Sequence, residues 1–557
     1  MMSEKIDAVT LEVMRNAFQS IAEEMGVTLV RTALSTNIKD RMDCSTAIYT
    51  GDGKLIAQAE HVPLHLGLMP SVITETLKIF PSEQLKEGDV ILINDPYISG
   101  SHLPDIFLIS PIFYEGRLVA LAANIAHHID VGGMAPGSMS VKATELYQEG
   151  LRLPAIRLCK EGVMDEEILR LIQKNVRTDK EVIGDLYAQL AANNVGEDRL
   201  KEMFSHYSMD YVIACIHEVM DYSDRRLRSA IKDVKNGEYK FEDFLEGDGI
   251  TEEFIKIAVT VKVDNESMEV DFTGTNPQVK GPNNSTQGVT QACVFYAIKS
   301  LLDPEIPSND GTYRSVCIHA PRGTVVNPNP PAPVSNANGN TAQRMADVMI
   351  GALAKVLPER AMAACTGSMN SFVIGGIDPQ TEKSFSYVET MGGGQGATNG
   401  LDGMDGVHTN MTNTKNTPVE VIEQSYPLFI KSYALVDGSG GYGEYRGGMG
   451  IRREIEILSD NSVVTLSTER QKIAPWGLFA GGNGKTSQSL LITADGKKTP
   501  LSSKVTMNVE KGSTVILKTA GGGGYGEVEK RQQECIEEDI TSRKIDQMEA
   551  AENYNYQ

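Results

Sequence analysis

Residues 105–130 read DIFLISPIFYEGRLVALAANIAHHID. Two long apolar runs flank Glu115-Gly116, a turn dipeptide, so the stretch predicts two neighbouring strands. DVILIND at 89–95 predicts a further strand. STAIYTGDGKLIAQA at 45–59 predicts a hairpin around Gly51-Asp52-Gly53. Upstream, residues 6–35 predict a long helix, because Leu11, Met14, Phe18, Ile21 and Met25 recur at three- and four-residue spacings. Residues 164–235 return to the helical period. FIKIAVTVKVDNESMEVDFTG at 254–274 alternates strictly on each side of Asp264-Asn265, and helical patterns follow at 287–302 and 340–357. From about 366 glycine takes over: MGGGQG (391–396), GSGGYGEYRGGMG (438–450), AGGNGK (480–485) and AGGGGYG (520–526) punctuate short strands such as REIEIL and SVVTLS. This predicts a β-sandwich or a β-rich closing layer. The residues after Val528 are charged, and are expected to be helical or partly disordered.

The expected fold class is therefore α+β. A mixed α/β metal-binding region fills 1–160 and a helical segment fills 161–250. A second α/β region spans 251–365, a glycine-rich β region 366–527 and a charged tail 528–557. With 557 residues, 41% of them hydrophobic, the chain can bury more than one core. A formal charge of -22 argues against binding nucleic acid through its phosphates. The seven cysteines form no CxxC pair and are odd in number, which excludes a disulfide framework or a zinc knuckle and fits a reducing cytoplasm. MMSEKIDAVTLEVM lacks the layout of a signal peptide, and no run of 18 uncharged apolar residues predicts a membrane span.

Chemistry concentrates where histidine does. Of nine histidines, five fall within 61–128: His61, His65, His102, His127 and His128. Acidic residues stand among them. Asp95 ends a strand, Asp105 follows His102 in SGSHLPD, Asp130 follows His127-His128, and Asp40 and Asp43 lie in KDRMDCS. Neighbouring strands of a sheet lie ~5 Å apart, so loops at one end can bring His102, Asp105 and His127 together. Imidazole with carboxylate suits Zn²⁺, Mn²⁺ or Fe²⁺ in an open, catalytic site rather than a closed structural one. A single loop histidine is ordinarily a surface or hydrogen-bonded residue; the clustering is what argues for a site. His127 and His128 are adjacent and must point opposite ways on an extended chain, so one ligand is expected from the pair.

Two glycine-rich stretches imitate phosphate loops. Gly481-Gly482-Asn483-Gly484-Lys485-Thr486 has Phe479 where a P-loop needs glycine, and a strand rather than a helix follows. AGGGGYG reads better as a tight turn with close backbone packing. Arg31, Glu149 and 408–423 offer polar groups for a substrate pocket, with His408 in a glycine- and asparagine-rich loop as the one to test.

The ordered motifs DRMDCSTAIYTGDGKLIAQAEHVPLHLG (40–67), INDPYISGSHLPDI (93–106), NIAHHIDVGG (124–133), YQEGLRLP (147–154) and NPNPPAPVSNANGNT (327–341) resemble the hydantoinase B/oxoprolinase family, relatives of acetone carboxylase. NTPVEVIEQSYPL (416–428), YGEYRGGMGIRRE (442–454), APWGLFAGGNGK (474–485) and AGGGGYG (520–526) extend the likeness along nearly the whole chain. The resemblance implies a hetero-oligomer with a larger hydantoinase A-like subunit, which binds ATP and phosphorylates a small cyclic amide such as a hydantoin or 5-oxoproline. The chain itself would supply a divalent metal held by Asp43, His102, Asp105 and His127. His128 and Asp130 are expected as catalytic proton acceptors, Glu149 and His408 as substrate-binding groups. A ketone carboxylase subunit of the acetone or acetophenone type is the alternative with the same partner logic. A non-catalytic scaffold for the ATP-binding subunit is the alternative from another class. The tail matches the family only loosely.

Overall fold

The computed structural model describes residues 6–59 and 61–556; Met1–Lys5, on which part of the N-terminal reading rests, lie outside the described residues. Seven strands form the first sheet: β1 (Cys44–Thr50), β2 (Leu55–Gln58), β3 (Val90–Ile93), β4 (Asp105–Tyr114), β5 (Arg117–His127), β6 (Ile156–Lys160) and β7 (Val163–Met164). Their order is β2-β1-β5-β4-β3-β6-β7, and every neighbouring pair is antiparallel. The expected turn is present between β4 and β5, with Glu115 and Gly116 both at positive φ (50° and 74°).

The central strands β1, β4 and β5 are largely apolar because both faces are covered. Cys44, Ile48, Ala122 and Ala126 meet Met14, Phe18 and Met25 of the helix Ala8–Thr32 and Ala188 and Ala192 of the helix Asp179–His206. The alternate residues Tyr49, Leu121 and Ile125 meet Met69, Val72 and Ile73 of the helix Pro63–Ile79. The period of two thus sorts one strand between two cores. The helix Pro63–Ile79 has no counterpart in the sequence reading. Gly67 and Pro70 weaken its pattern, and packing decides instead: a Cβ on Gly67 would stand 2.2 Å from Cα of Ala292 in the helix Gln287–Leu302.

The helical stretch resolves into Glu166–Asn175, Asp179–His206 and Met209–Lys232. Residues 237–246, grouped above with the helical segment, form a strand, Gly237–Glu246. It edges a four-stranded sheet with Phe254–Asp264, Ser267–Asp271 and Val316–His319, the last pair parallel. Two further sheets, of four and five strands, face each other across Phe372, Tyr387, Leu466, Ile455 and Leu517, so the glycine-rich part is a sandwich. The tail takes the helical of its two expected states. Its helices Gln533–Thr541 and Gln547–Tyr554 share a small core of Ile536, Ile545, Ala550 and Tyr554. Arg531 fixes it, bridging Asp539 at 2.5 Å and Asp402 at 2.9 Å. No helix among the described residues is long and apolar enough to cross a membrane.

The glycine runs pack backbone on backbone. Gly522 N donates to Gly448 O at 2.9 Å, Gly523 N to Ala364 O at 2.8 Å and Gly524 N to Gly482 O at 2.9 Å. Both phosphate-loop imitations are part of this layer. A Cβ at Gly394 would lie 2.0 Å from Gly448 O and 2.2 Å from Gly522 N. Gly394→Ala is expected to cost about 1–3 kcal/mol or more, since backbone has no rotamer with which to yield; chemical denaturation of the purified chain measures it.

Candidate metal centre

Register builds the site. The β4–β5 hairpin places Asp105, the first residue of β4, directly opposite His127, the last of β5. Next to them β1 begins, and His127 N donates to Asp43 O at 3.0 Å. Three strand ends therefore deliver Asp43, Asp105 and His127 to one edge. His102 enters from the β3–β4 loop, which turns back through Asp105 N to His102 O at 3.1 Å.

One donor atom each from His102, Asp105 and His127 lies within 4.8 Å of the others, and all three residues are buried. His127 Nδ1 is 3.2 Å from Asp105 Oδ1, while its Nε2 is buried without a hydrogen-bond partner. His102 Nδ1 stands 2.9 Å from Asp105 Oδ2 but makes no hydrogen bond, because the direction is wrong for one. Buried imidazole nitrogens are seldom left so, since each costs the desolvation of a polar atom. Two orphaned nitrogens and a carboxylate facing a common point fit a divalent ion of the zinc, manganese or iron kind. Burial alone would raise the Asp105 pKa; the His102 and His127 imidazoles overcome that and hold it well below the usual carboxylate range.

A cavity of about 40 Å³ adjoins these atoms. Asp43 is in its wall, 3.9 Å from the Arg41 guanidinium, but its carboxylate is not one of the three clustered groups. Arg41 and Asn338 are buried partners that the sequence reading did not single out. Arg41 donates to Val388 O at 2.9 Å and Thr390 Oγ1 at 2.7 Å, tying the site to the sandwich. Asn338 Nδ2 donates to Ser101 Oγ at 3.1 Å and Asp105 Oδ2 at 3.3 Å, and Ser101 Oγ also donates to Asp105. Asn338 belongs to NANGNT, so only the family motif marked it. His65 lines the cavity as well, with Nδ1 3.0 Å from Ser45 Oγ.

Four expected residues take other places. His128 points to the opposite side of β5 from His127; its Nε2 donates to Gln189 Oε1 at 2.9 Å, and Gln189 in turn donates to Ile106 O and Asn124 Oδ1. Asp130 accepts from the backbone of Gly132, Gly137 and Arg177 and from the Arg177 guanidinium at 3.1 Å. Neither lines the cavity, and their hydrogen bonds go to Gln189 and to the backbone of the 128–138 loop and Arg177. Glu149 faces backbone, accepting from Val334 N at 3.0 Å and Ser335 N at 2.9 Å; it anchors the segment that carries Ser335 and Asn338 into the wall and does not line the cavity. His408 stands outside the lining too, with Nε2 buried and unpartnered. Burial, and then Arg41, push its pKa down to about 4. Asp95 binds Arg152 at 2.7 Å.

The hydantoinase B/oxoprolinase family model matches residues 7–528. 5-oxoprolinase 1 of Arabidopsis thaliana is 37% identical over 93% of this chain and 42% of its own length. Caprolactamase subunit beta of Pseudomonas jessenii is 32% identical over 96% of this chain and 93% of its own. The chain thus spans less than half of the first relative and nearly all of the second. The crystal structure of ATP-dependent caprolactamase from Pseudomonas jessenii superposes with a TM-score of 0.92 at 30% identity, covering 100% of this chain and 98% of that one. Acetone carboxylase in a nucleotide-free structure shares the fold at a TM-score of 0.90 and 18% identity, over 98% and 79% of the two chains.

Glu149 gives a pH test. Burial raises its pKa from 4.5 to about 7. The folded chain therefore holds this proton more tightly than the unfolded one. The stability it contributes is present below about pH 4.5 and is lost as pH rises through 7, a span of up to ~3 kcal/mol. Glu149→Gln is expected to flatten that part of the stability–pH curve, measured by denaturation at successive pH values.

Proposed function

The chain belongs to the hydantoinase B/oxoprolinase family, and from that premise we propose that it is the metal-binding subunit of an ATP-dependent hydrolase of cyclic amides, working in the cytoplasm with a hydantoinase A-like subunit that binds ATP. The observation that carries the reading is the buried convergence of His102, Asp105 and His127 with two imidazole nitrogens left without hydrogen bonds. The relatives' names, a 5-oxoprolinase and a caprolactamase subunit beta, support the lactam substrate and the partner. All seven cysteines are free, which agrees with a reducing compartment.

In this reading His102, Asp105 and His127 hold the ion, with Asp43 as the further carboxylate in the wall. An ion held there would supply Lewis acidity toward water and toward a carbonyl oxygen. Ser101 and Asn338 donate to Asp105 Oδ2 and hold the carboxylate in its orientation. Arg41 restrains the Asp43 loop through its bonds to the sandwich. Gln189 accepts from His128 and so keeps that imidazole out of the site. Activation of the lactam by phosphoryl transfer falls to the partner.

The test is metal analysis and an ATP-dependent ring-opening assay of 5-oxoproline, hydantoin and caprolactam, with the chain and its partner purified together. His102→Ala and Asp105→Asn are expected to lose the ion and to lower ring opening by about 100-fold or more. Full metal content with undiminished hydrolysis in either variant refutes the assignment. A requirement for bicarbonate identifies a carboxylase instead.

A further inference from the structure

A second cavity shares a wall with the metal cavity. Along the start of the helix Pro63–Ile79 the lining alternates. Val62, Leu64 and His65 face the metal cavity, whereas His61 and Pro63 face the other. The facing segment does the same, Thr412 and Thr414 on one side and Asn413 on the other. The two segments are stitched by Asn413 Nδ2 donating to His61 O at 2.7 Å and Leu64 N to Met411 O at 3.2 Å. The partition is one residue thick.

Size separates the two spaces. The metal cavity, at about 40 Å³, has room for an ion and about three waters. A five- to seven-membered ring is better matched by the larger space. The second cavity encloses about 340 Å³, within the usual span of small-molecule sites. Its walls suit a flat or puckered hydrocarbon ring. Phe295 and Tyr313 stand with ring centroids 4.3 Å apart, Tyr296 adds a third aromatic surface, and Ala292 closes the floor. Lys299, whose Nζ lies 2.7 Å from Ser308 Oγ, places a cation in the same lining.

We propose that this chamber, rather than the metal cavity, is the binding site for the ring of the cyclic amide, and that the amide edge lies against the partition. The proposal rests on the lactam reading of the metal centre and names where that substrate sits. The hydrocarbon part is buried on Phe295, Tyr296 and Tyr313. The amide reaches the metal cavity when the Asn413–His61 hydrogen bond opens.

The experiment measures binding of caprolactam and 5-oxoproline to the full chain by ligand-observed NMR and calorimetry, alongside its folded state by circular dichroism. Ser300→Trp fills the chamber from an exposed helix position and is expected to weaken ring binding by about tenfold or more. Phe295→Ala removes an aromatic wall and is expected to weaken it in the same direction. His102→Ala, in the metal cavity alone, is expected to leave ring binding within about twofold. The proposal is overturned if the unsubstituted chain binds neither ring, if Ser300→Trp folds and binds undiminished, or if His102→Ala abolishes binding. Ring binding in the expected pattern, in a complex that hydrolyses no lactam, removes the hydrolase reading and leaves the chamber standing.

Discussion

A carboxylate at 1% exposure is the constraint from which the site is built. Removing the Asp105 charge from water is expensive, and only well-aimed partners offset it. The partners come from three directions. His127 is its cross-strand neighbour, His102 lies one turn of chain before it, and Ser101 and Asn338 donate to its second oxygen. Each partner is itself held: His127 by the backbone of Asp43 and by Asn37 Nδ2, Asn338 by a segment anchored on Glu149. The N-terminal sheet alone cannot complete this arrangement. Asn338 lies 233 positions away from Asp105, and the wall opposite comes from the sandwich. The regions of the chain are therefore joined at the place where chemistry is expected, and Arg41, bonded across to Val388 and Thr390, makes the junction rigid.

Strand periodicity made the core of the site readable. Because β4 and β5 are joined by a two-residue turn, the start of one must lie near the end of the other; counting alone would set Asp105 opposite Ala126, and the register shift at Ile112-Phe113 moves it to His127. His102, in the loop between β3 and β4, was marked instead by the clustering of histidines and by the family motif. Asp130, His128 and Glu149 stand outside the cavity lining, since a buried polar side chain can serve backbone amides, or in the case of His128 the Gln189 side chain, as readily as a substrate. Asp130 satisfies three backbone N–H groups and Glu149 two, which a sequence does not distinguish from a vacant acid. The helix Pro63–Ile79 escaped because its stability comes from packing on Gln287–Leu302, a long-range fact. The order of the tail was not legible because it depends on one charge, Arg531, buried between Asp402 and Asp539 in a run whose other charges are mostly exposed.

The glycine-rich layer has a consequence for how the molecule assembles. Residues 394, 448, 482 and 522–524 touch through main chain alone, and no side chain there can form a local cluster before the others arrive. Ordering glycine costs more conformational entropy than ordering any other residue, and the partners are separated by tens of positions. Such a layer has no early nucleus of its own. Its contacts are long-range main-chain bonds, so it depends on the sheets it joins rather than on its own local sequence. A chain interrupted before residue 520 would therefore carry His102, Asp105 and His127 and still leave Gly394, Gly448 and Gly482 without the main-chain partners that residues 520–524 supply.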